Sequence, residues 1–257
     1  MHRWTALGVL SAAGLMTILD GSIVTVAMPA IQQDLGFSPA GLSWMVNAYL
    51  IPFGGLLLLA GRLGDLIGRR IMFLAGNAVF TGASLLAGLS TGPGMLIAAR
   101  FLQGVGSAMA SAVVLGILVT IFTDTGERGR AIAIFSFTGA AGASIGQVLG
   151  GVLTDTLSWP WIFFINVPIG LATILLAVRV LPHDRGLGLS AGADVAGAVL
   201  VTSGLMLGIY TVVEGGTGGP GWCRSRCWPG SWPGRRPPPT RSCRCGSSAP
   251  ATSPGRT

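Results

Sequence analysis

The sequence predicts an all-α polytopic membrane protein, and three observations carry that expectation. Only 10% of the residues are charged and 51% are hydrophobic, whereas soluble domains carry roughly 25% charged residues. The mean hydropathy is +0.69. The apolar runs reach the roughly 20 residues that a helix needs to cross a bilayer, and none alternates with a period of two as a membrane β-strand would.

Seven stretches qualify as spans. The first, about 6–28, ends at Pro29 and carries Asp20. It is long and has spans after it, so it reads as an uncleaved helix and not as a signal peptide. The second and third, about 44–61 and 71–90, flank GRLGDLIGRR (61–70), which packs four charges into ten positions. The fourth, about 95–119, holds Arg100 one turn before Gln103. Further along it, Gly104, Ala108 and Ala112 recur every fourth residue. In the fifth, about 131–154, Gly142, Gly146 and Gly150 do the same. Small residues at that spacing let helix backbones approach closely in lipid, and a bending point is the other reading of three glycines on one face. The sixth, about 162–181, follows SWPW, and the seventh covers about 195–213.

The net charge of +7 suggests an acidic partner, but its distribution argues against nucleic acid. Residues 1–217 hold nine Arg against nine Asp or Glu. The excess lies in residues 218–257, which contain seven Arg, no acid, all four Cys and eight of the fifteen Pro. Within the balanced part, Arg3, Arg62, Arg69, Arg70, Arg128, Arg130, Arg179 and Arg185 all fall before span one or in alternate connections. The intervening loops QQDLGFSPAGLS, STGPG and DTLSW have no Arg or Lys. Positive charge in short loops marks the cytoplasmic side, so the N-terminus is expected in the cytoplasm, with the chain crossing the cytoplasmic membrane several times.

Asp20 and Arg100 do not fit in loops. Counted from Pro29 and from STGPG at 1.5 Å per residue, both sit roughly 9–13 Å into the external half of the bilayer. A charge there costs about 2.5–3.5 kcal/mol, so it normally faces a cavity or a partner. The two residues are expected to line a common polar path and to pair; the alternative is that Arg100 snorkels to the headgroups. Asn47 and Tyr49, in WMVNAYL, are weaker candidates for the same path, and Trp159 and Trp161 read as interfacial belt residues. In GRLGDLIGRR, Gly61, Gly64 and Gly68 suit a tight turn between helices. Asp65 stands just before span three, where the helix dipole favours it, and four residues before Arg69, the spacing of a helical ion pair.

Taken together, these stretches resemble the major facilitator superfamily, closest to its drug:proton antiporters with fourteen spans. GRLGDLIGRR resembles the signature loop between helices two and three, RFLQGVGSA the fourth-helix motif, and GASIGQVLGG the fifth-helix antiporter motif. LDGSIVTVAMPAIQQDL resembles the first-helix motif, and SWPWIFFINVPIG the start of the sixth helix. The order is the family's over about residues 7–215. The chain departs from the usual pattern at Leu66, where a basic residue is common, at Gln147, where Pro is common, and at Pro160, where Arg is common.

The resemblance implies an N-terminal six-span transporter lobe over 1–182, then a cytoplasmic linker and seventh span over 183–217. It implies efflux of amphipathic drugs or antibiotics in exchange for protons, with the proton gradient as energy source and no cofactor. It places Asp20, Arg100, Gln103 and Asn47 in the proton or substrate path. Gly61, Gly64, Asp65, Gly68, Arg69 and Arg70 fall in a gating loop that latches two lobes, and Gly142, Gly146, Gln147, Gly150 and Gly151 in the antiporter helix. The partners implied are the lipid bilayer, a small amphipathic substrate and a second lobe.

The spans hold no nucleophile, base and acid set, so an enzyme is not expected. Residues 218–257, an Arg/Pro/Cys-rich tail, break the positive-inside pattern and read as disordered or as an out-of-frame product of a gene rich in G and C, making the chain a truncated form inactive alone. The alternative is a non-transporting membrane subunit that complements a separate second lobe. Zinc is not expected at Cys223, Cys227, Cys243 and Cys245, since CxxxC and CxC spacings without His do not match structural sites.

Overall fold

The computed structural model describes residues 3–183, together with 186, 188, 197, 200–208 and 211. These residues form helices and connections, and no strand occurs among them. The helices are α1 (Arg3–Leu35), α2 (Pro39–Ile67), α3 (Arg69–Gly88), α4 (Pro93–Ile121), α5 (Thr125–Thr156), α6 (Trp161–Phe164) and α7 (Asn166–Val180). The first five are each long and apolar enough to cross a membrane, and α6 with α7 makes a sixth span. Parts of the predicted seventh span and the whole 218–257 tail lie outside the described residues. The described residues of that span, 197, 200–208 and 211, are helical, and Met206 lies against Gly55 of α2.

Short polar connections make consecutive helices antiparallel, and contacts between their ends fix which ends meet. At one end Trp4 meets Phe122 edge-on, with ring centroids 5.4 Å apart, and Arg3 pairs with Glu127 at 2.9 Å. Arg69 reaches Thr120 at 3.1 Å, and Arg70 bonds His183 and the Val178 carbonyl. Arg3, Arg69, Arg70 and Arg130, which lies over the Trp4 ring, therefore gather at one end of the bundle. At the other end Trp159 donates to Asp34 at 2.7 Å.

The interior holds two large apolar cores, a small cluster of Met16, Tyr49 and Phe80, and a set of buried polar side chains around Asp20. The core at the arginine-bearing end is built on Leu10, Phe73, Val114, Leu118 and Phe122. The core at the opposite end is built on Ile23, Ile31, Met45, Leu96, Ile162 and Phe163. Close backbone approach holds the helices together. A Cβ on Gly76 would lie 2.5 Å from the Ala110 nitrogen, and one on Gly106 would lie 2.6 Å from the Phe80 nitrogen, so α3 and α4 cross there with no room for a side chain.

Three features differ from the sequence expectation. First, α1 does not stop at Pro29 but runs to Leu35, since helices in membrane proteins tolerate proline where neighbours compensate. Second, GRLGDLIGRR is not an open loop. Helix α2 continues through Ile67, so Asp65 sits in its last turn and not just ahead of α3. Only Gly68 takes a left-handed backbone, at φ 115°, and it serves as both end of α2 and start of α3. Gly61 and Gly64 are helical. Gly64 is there for contact, because a Cβ would fall 2.3 Å from Val113 Cγ1. Third, Trp159 is not a belt residue. It is buried in the core opposite the arginines, while Trp161 is 49% exposed.

Candidate functional site

The buried polar set around Asp20 is a hydrogen-bonded cluster contributed by five helices. Asp20, on α1 between the core residues Leu19 and Ile23, is fully buried. Arg100, two turns into α4, is 2% exposed, so it does not snorkel. Its Nη1 donates to Asp20 Oδ2 at 2.5 Å and to Gln103 Oε1 at 2.8 Å. Gln103 Nε2 donates in turn to Asp20 Oδ1 at 3.1 Å and to Ser84 Oγ at 2.8 Å. A third donor completes the carboxylate's shell: Asn166 Nδ2, 2.9 Å from Asp20 Oδ1. Ser84 is anchored by donating back to the Phe80 carbonyl at 2.8 Å.

An aromatic floor closes the cluster on the α2 side. The Arg100 guanidinium lies over the Tyr49 ring, 4.5 Å from its centroid, a geometry in which the ring quadrupole attracts the cation. Tyr49 donates its hydroxyl to Ser107 at 3.1 Å and stacks on Phe53 with centroids 5.8 Å apart. Gly104 permits this arrangement, since a Cβ there would sit 2.4 Å from the Tyr49 carbonyl oxygen and push α4 off α2. Two buried atoms of the cluster make no hydrogen bond, Arg100 Nε and Asn166 Oδ1.

The arrangement is a buried, net-neutral ion pair whose anion accepts three donors and whose cation has a second seat on an aromatic ring. Among the described residues no three His, Cys, Asp or Glu side chains come together as metal ligands. The sequence identified Asp20, Arg100 and Gln103, and the structure joins them. It does not bring Asn47 into the cluster: that residue is half-buried on α2 and makes none of these bonds. Ser84, Ser107 and Asn166 were missed. Of these Asn166 left a signal, a lone amide inside the apolar run WIFFINVPIG.

The other predicted residues fall in two places away from the cluster. At the arginine-bearing end, Arg69 donates to Asp65 at 2.8 Å and 3.0 Å across the Gly68 joint, and to the Gly116 carbonyl at 3.0 Å. One side chain thus ties α2, α3 and α4 together. Arg70 is buried against the end of α7. Gly188, itself at φ 83°, donates its N–H to the Leu66 carbonyl at 3.1 Å. On α5, Gly142, Gly146 and Gly150 face α1 at Leu15, Leu19 and Ile23, and a Cβ on Gly146 would lie 3.1 Å from the Leu19 carbonyl. Gly151 meets nothing within 4 Å, and Gln147 is exposed.

A membrane-spanning helical lobe with a buried charge cluster defines a class, and comparison with known proteins agrees with it. The family model "Major Facilitator Superfamily" matches residues 10–217. The chain belongs to that superfamily, a family of transporters and not of enzymes, and is a multi-pass membrane protein. It is 42% identical over 217 residues to the puromycin resistance protein pur8 of Streptomyces alboniger, covering 84% of this chain and 43% of that protein. It is 45% identical over 205 residues to the cephamycin export protein CmcT of Amycolatopsis lactamdurans, covering 79% and 42% respectively. To the probable actinorhodin transporter of Streptomyces coelicolor it is 41% identical over 232 residues, covering 89% and 38%. The chain spans less than half the length of each of these relatives.

Proposed function

We propose that residues 1–217 act as the N-terminal part of a proton-coupled exporter of amphipathic drugs or antibiotics in the cytoplasmic membrane. The observation that carries this reading is the sealed Asp20–Arg100 pair. Two charges placed among membrane helices are costly, and such residues mark ion or substrate paths. The similarity to proteins named for antibiotic resistance and export supports the choice of cargo. Efflux draws on the proton gradient and needs no cofactor.

In this mechanism Asp20 is the proton carrier. When Asp20 is ionised, Arg100 is held on it. A proton arriving at the carboxylate cancels the anion, and Arg100 relaxes onto Gln103 and the Tyr49 face. The loss of the pair biases the lobe against its partner lobe, the rocking by which such transporters expose one site to each side in turn. The joint at Gly68, with Asp65, Arg69 and Arg70, is half of the latch between lobes. The positive-inside pattern puts the arginine-bearing end and the N-terminus in the cytoplasm.

Dye efflux from cells tests this with the chain joined in frame to a second lobe taken from one of the exporters it resembles. Efflux is expected to stop when the proton gradient is collapsed and when Asp20 is replaced by Asn. Efflux that persists at wild-type rate under either condition would sink the reading. Co-expressing the 257 residues with a separate second lobe tests assembly from two chains, with no efflux expected from the 257 residues alone.

A further inference from the structure

A buried carboxyl that gains and loses a proton needs different neighbours in its two states. The carboxylate wants donors, whereas the carboxylic acid carries an O–H that must find an acceptor or go unsatisfied in a medium without water. The side chains around Asp20 differ in what they can accept. Arg100 only donates. Gln103 is committed, its Oε1 to Arg100 at 2.8 Å and its Nε2 to both Asp20 and Ser84. Turning it over would set its amide N–H groups against the guanidinium. Tyr49 faces Arg100 and gives its O–H to Ser107.

Among the side chains hydrogen-bonded to Asp20, Asn166 alone has an acceptor oxygen that makes no hydrogen bond. Its Nδ2 donates to Asp20 Oδ1 at 2.9 Å, the residue is fully buried, and its Oδ1 has no hydrogen-bond partner. It is also the first residue of α7, just past the break that separates α7 from α6.

We propose that the Asn166 amide is the positioning device that lets Asp20 stay satisfied in both protonation states. With Asp20 ionised, Nδ2 donates to the carboxylate. When a proton from water on the open side of the transporter binds Asp20, the amide turns over about χ2 and Oδ1 accepts the new O–H. The only bond made is that O–H bond, and the charge gained at Asp20 is the proton's. Among the described residues, Arg100 and Tyr49 are the ionisable groups facing this site. Helix α3 brings Ser84, α5 brings its glycine stripe, and α6 brings Ile162 and Phe163. The inference rests on the reading of Asp20 as proton carrier.

Infrared difference spectroscopy of the 257-residue chain in lipid nanodiscs, acid minus alkaline, reads this directly. The protonated-carboxyl band of Asp20 is identified by its loss in Asp20→Asn. In Asn166→Leu that band is expected at higher wavenumber, because its O–H has lost its acceptor. A second measurement does not depend on how well Asn166→Leu folds. Asn47, Asn77 and Asn166 are the chain's asparagines, and carbonyl-13C asparagine labelling of the wild type is expected to show one side-chain amide shifting on acidification. That shift should be absent in Asp20→Asn. An Asp20 band unmoved by Asn166→Leu, with no amide response in the labelled wild type, overturns the role of Asn166 and leaves Asp20 as proton carrier. Absence of any Asp20 band overturns the proton-carrier reading, and this inference falls with it.

Discussion

At the scale of single residues, the buried ion pair is where removal of one partner is most damaging. Asp20 and Arg100 satisfy each other in the interior. Replacing one partner of such a pair leaves an uncompensated buried charge and costs about 3–5 kcal/mol, whereas replacing both with neutral groups often costs little. Arg100→Leu is therefore expected to lower the stability of the purified chain by that amount in a detergent unfolding titration. The double variant Asp20→Asn with Arg100→Gln should recover most of the loss. Equal losses in single and double variants would mean that the pair is not what the charges are held by. These two residues were legible in the sequence because ionisable groups stand out in apolar runs, and their equal depth followed from counting residues. Ser84 and Ser107 were not, since a hydroxyl in a membrane helix usually bonds its own backbone, as Ser84 also does to Phe80. Asn47 stood out as clearly as Asn166, and only the packing of α7 against α1 separates the bystander from the participant.

Among the helical elements, packing is decided by a few glycines whose missing side chains let backbones touch. Gly106→Val is expected to force α3 and α4 apart, because its Cβ would lie 2.6 Å from the Phe80 nitrogen. The chain should then elute as aggregate or lose resistance to thermal unfolding. Gly82→Ala, which meets nothing within 4 Å, is expected to fold as well as wild type or up to about 1 kcal/mol better, from the helix propensity of alanine. On α5 the same contrast separates Gly146, which is pressed on Leu19 and Ser22, from Gly151, which is open. Gly146→Leu should abolish stable folding and Gly151→Leu should not. A comparable loss in both would refute the assignment of the stripe as the α1 contact. The four-residue spacing made this stripe visible beforehand, but spacing could not say which neighbour it faces. Nor could it say that α1 runs six residues past Pro29 to Leu35. Glycine frequency also misled at 61–68, where just Gly68 turns the chain and Gly64 is there for Val113.

For the whole molecule, the described helices are unequally covered. Helix α5 buries just Ala131, Gly142, Gly146 and Gly150, and Phe137 and Val148 on its outer side are 74% and 68% exposed. Its inner stripe packs on α1, while its remaining apolar faces are exposed. The order of the six described spans was legible in the apolar runs, because the bilayer sets their minimum length, but α1 and α2 run past the predicted ends. The side of the membrane rests on the arginines, so it is tested by accessibility. With the native cysteines replaced, a cysteine introduced at Gly92 should react with an impermeant thiol reagent on intact cells, and one at Arg128 should react only after permeabilisation. The reverse pattern would invert the proposed orientation. The most direct test of the central claim, that Asp20 carries the coupling proton, is made in proteoliposomes holding the chain joined to a second lobe, by following the internal pH during drug uptake. Wild type is predicted to move protons against the drug, and Asp20→Asn to move neither. Drug movement in Asp20→Asn that still shifts the internal pH as in wild type would contradict it.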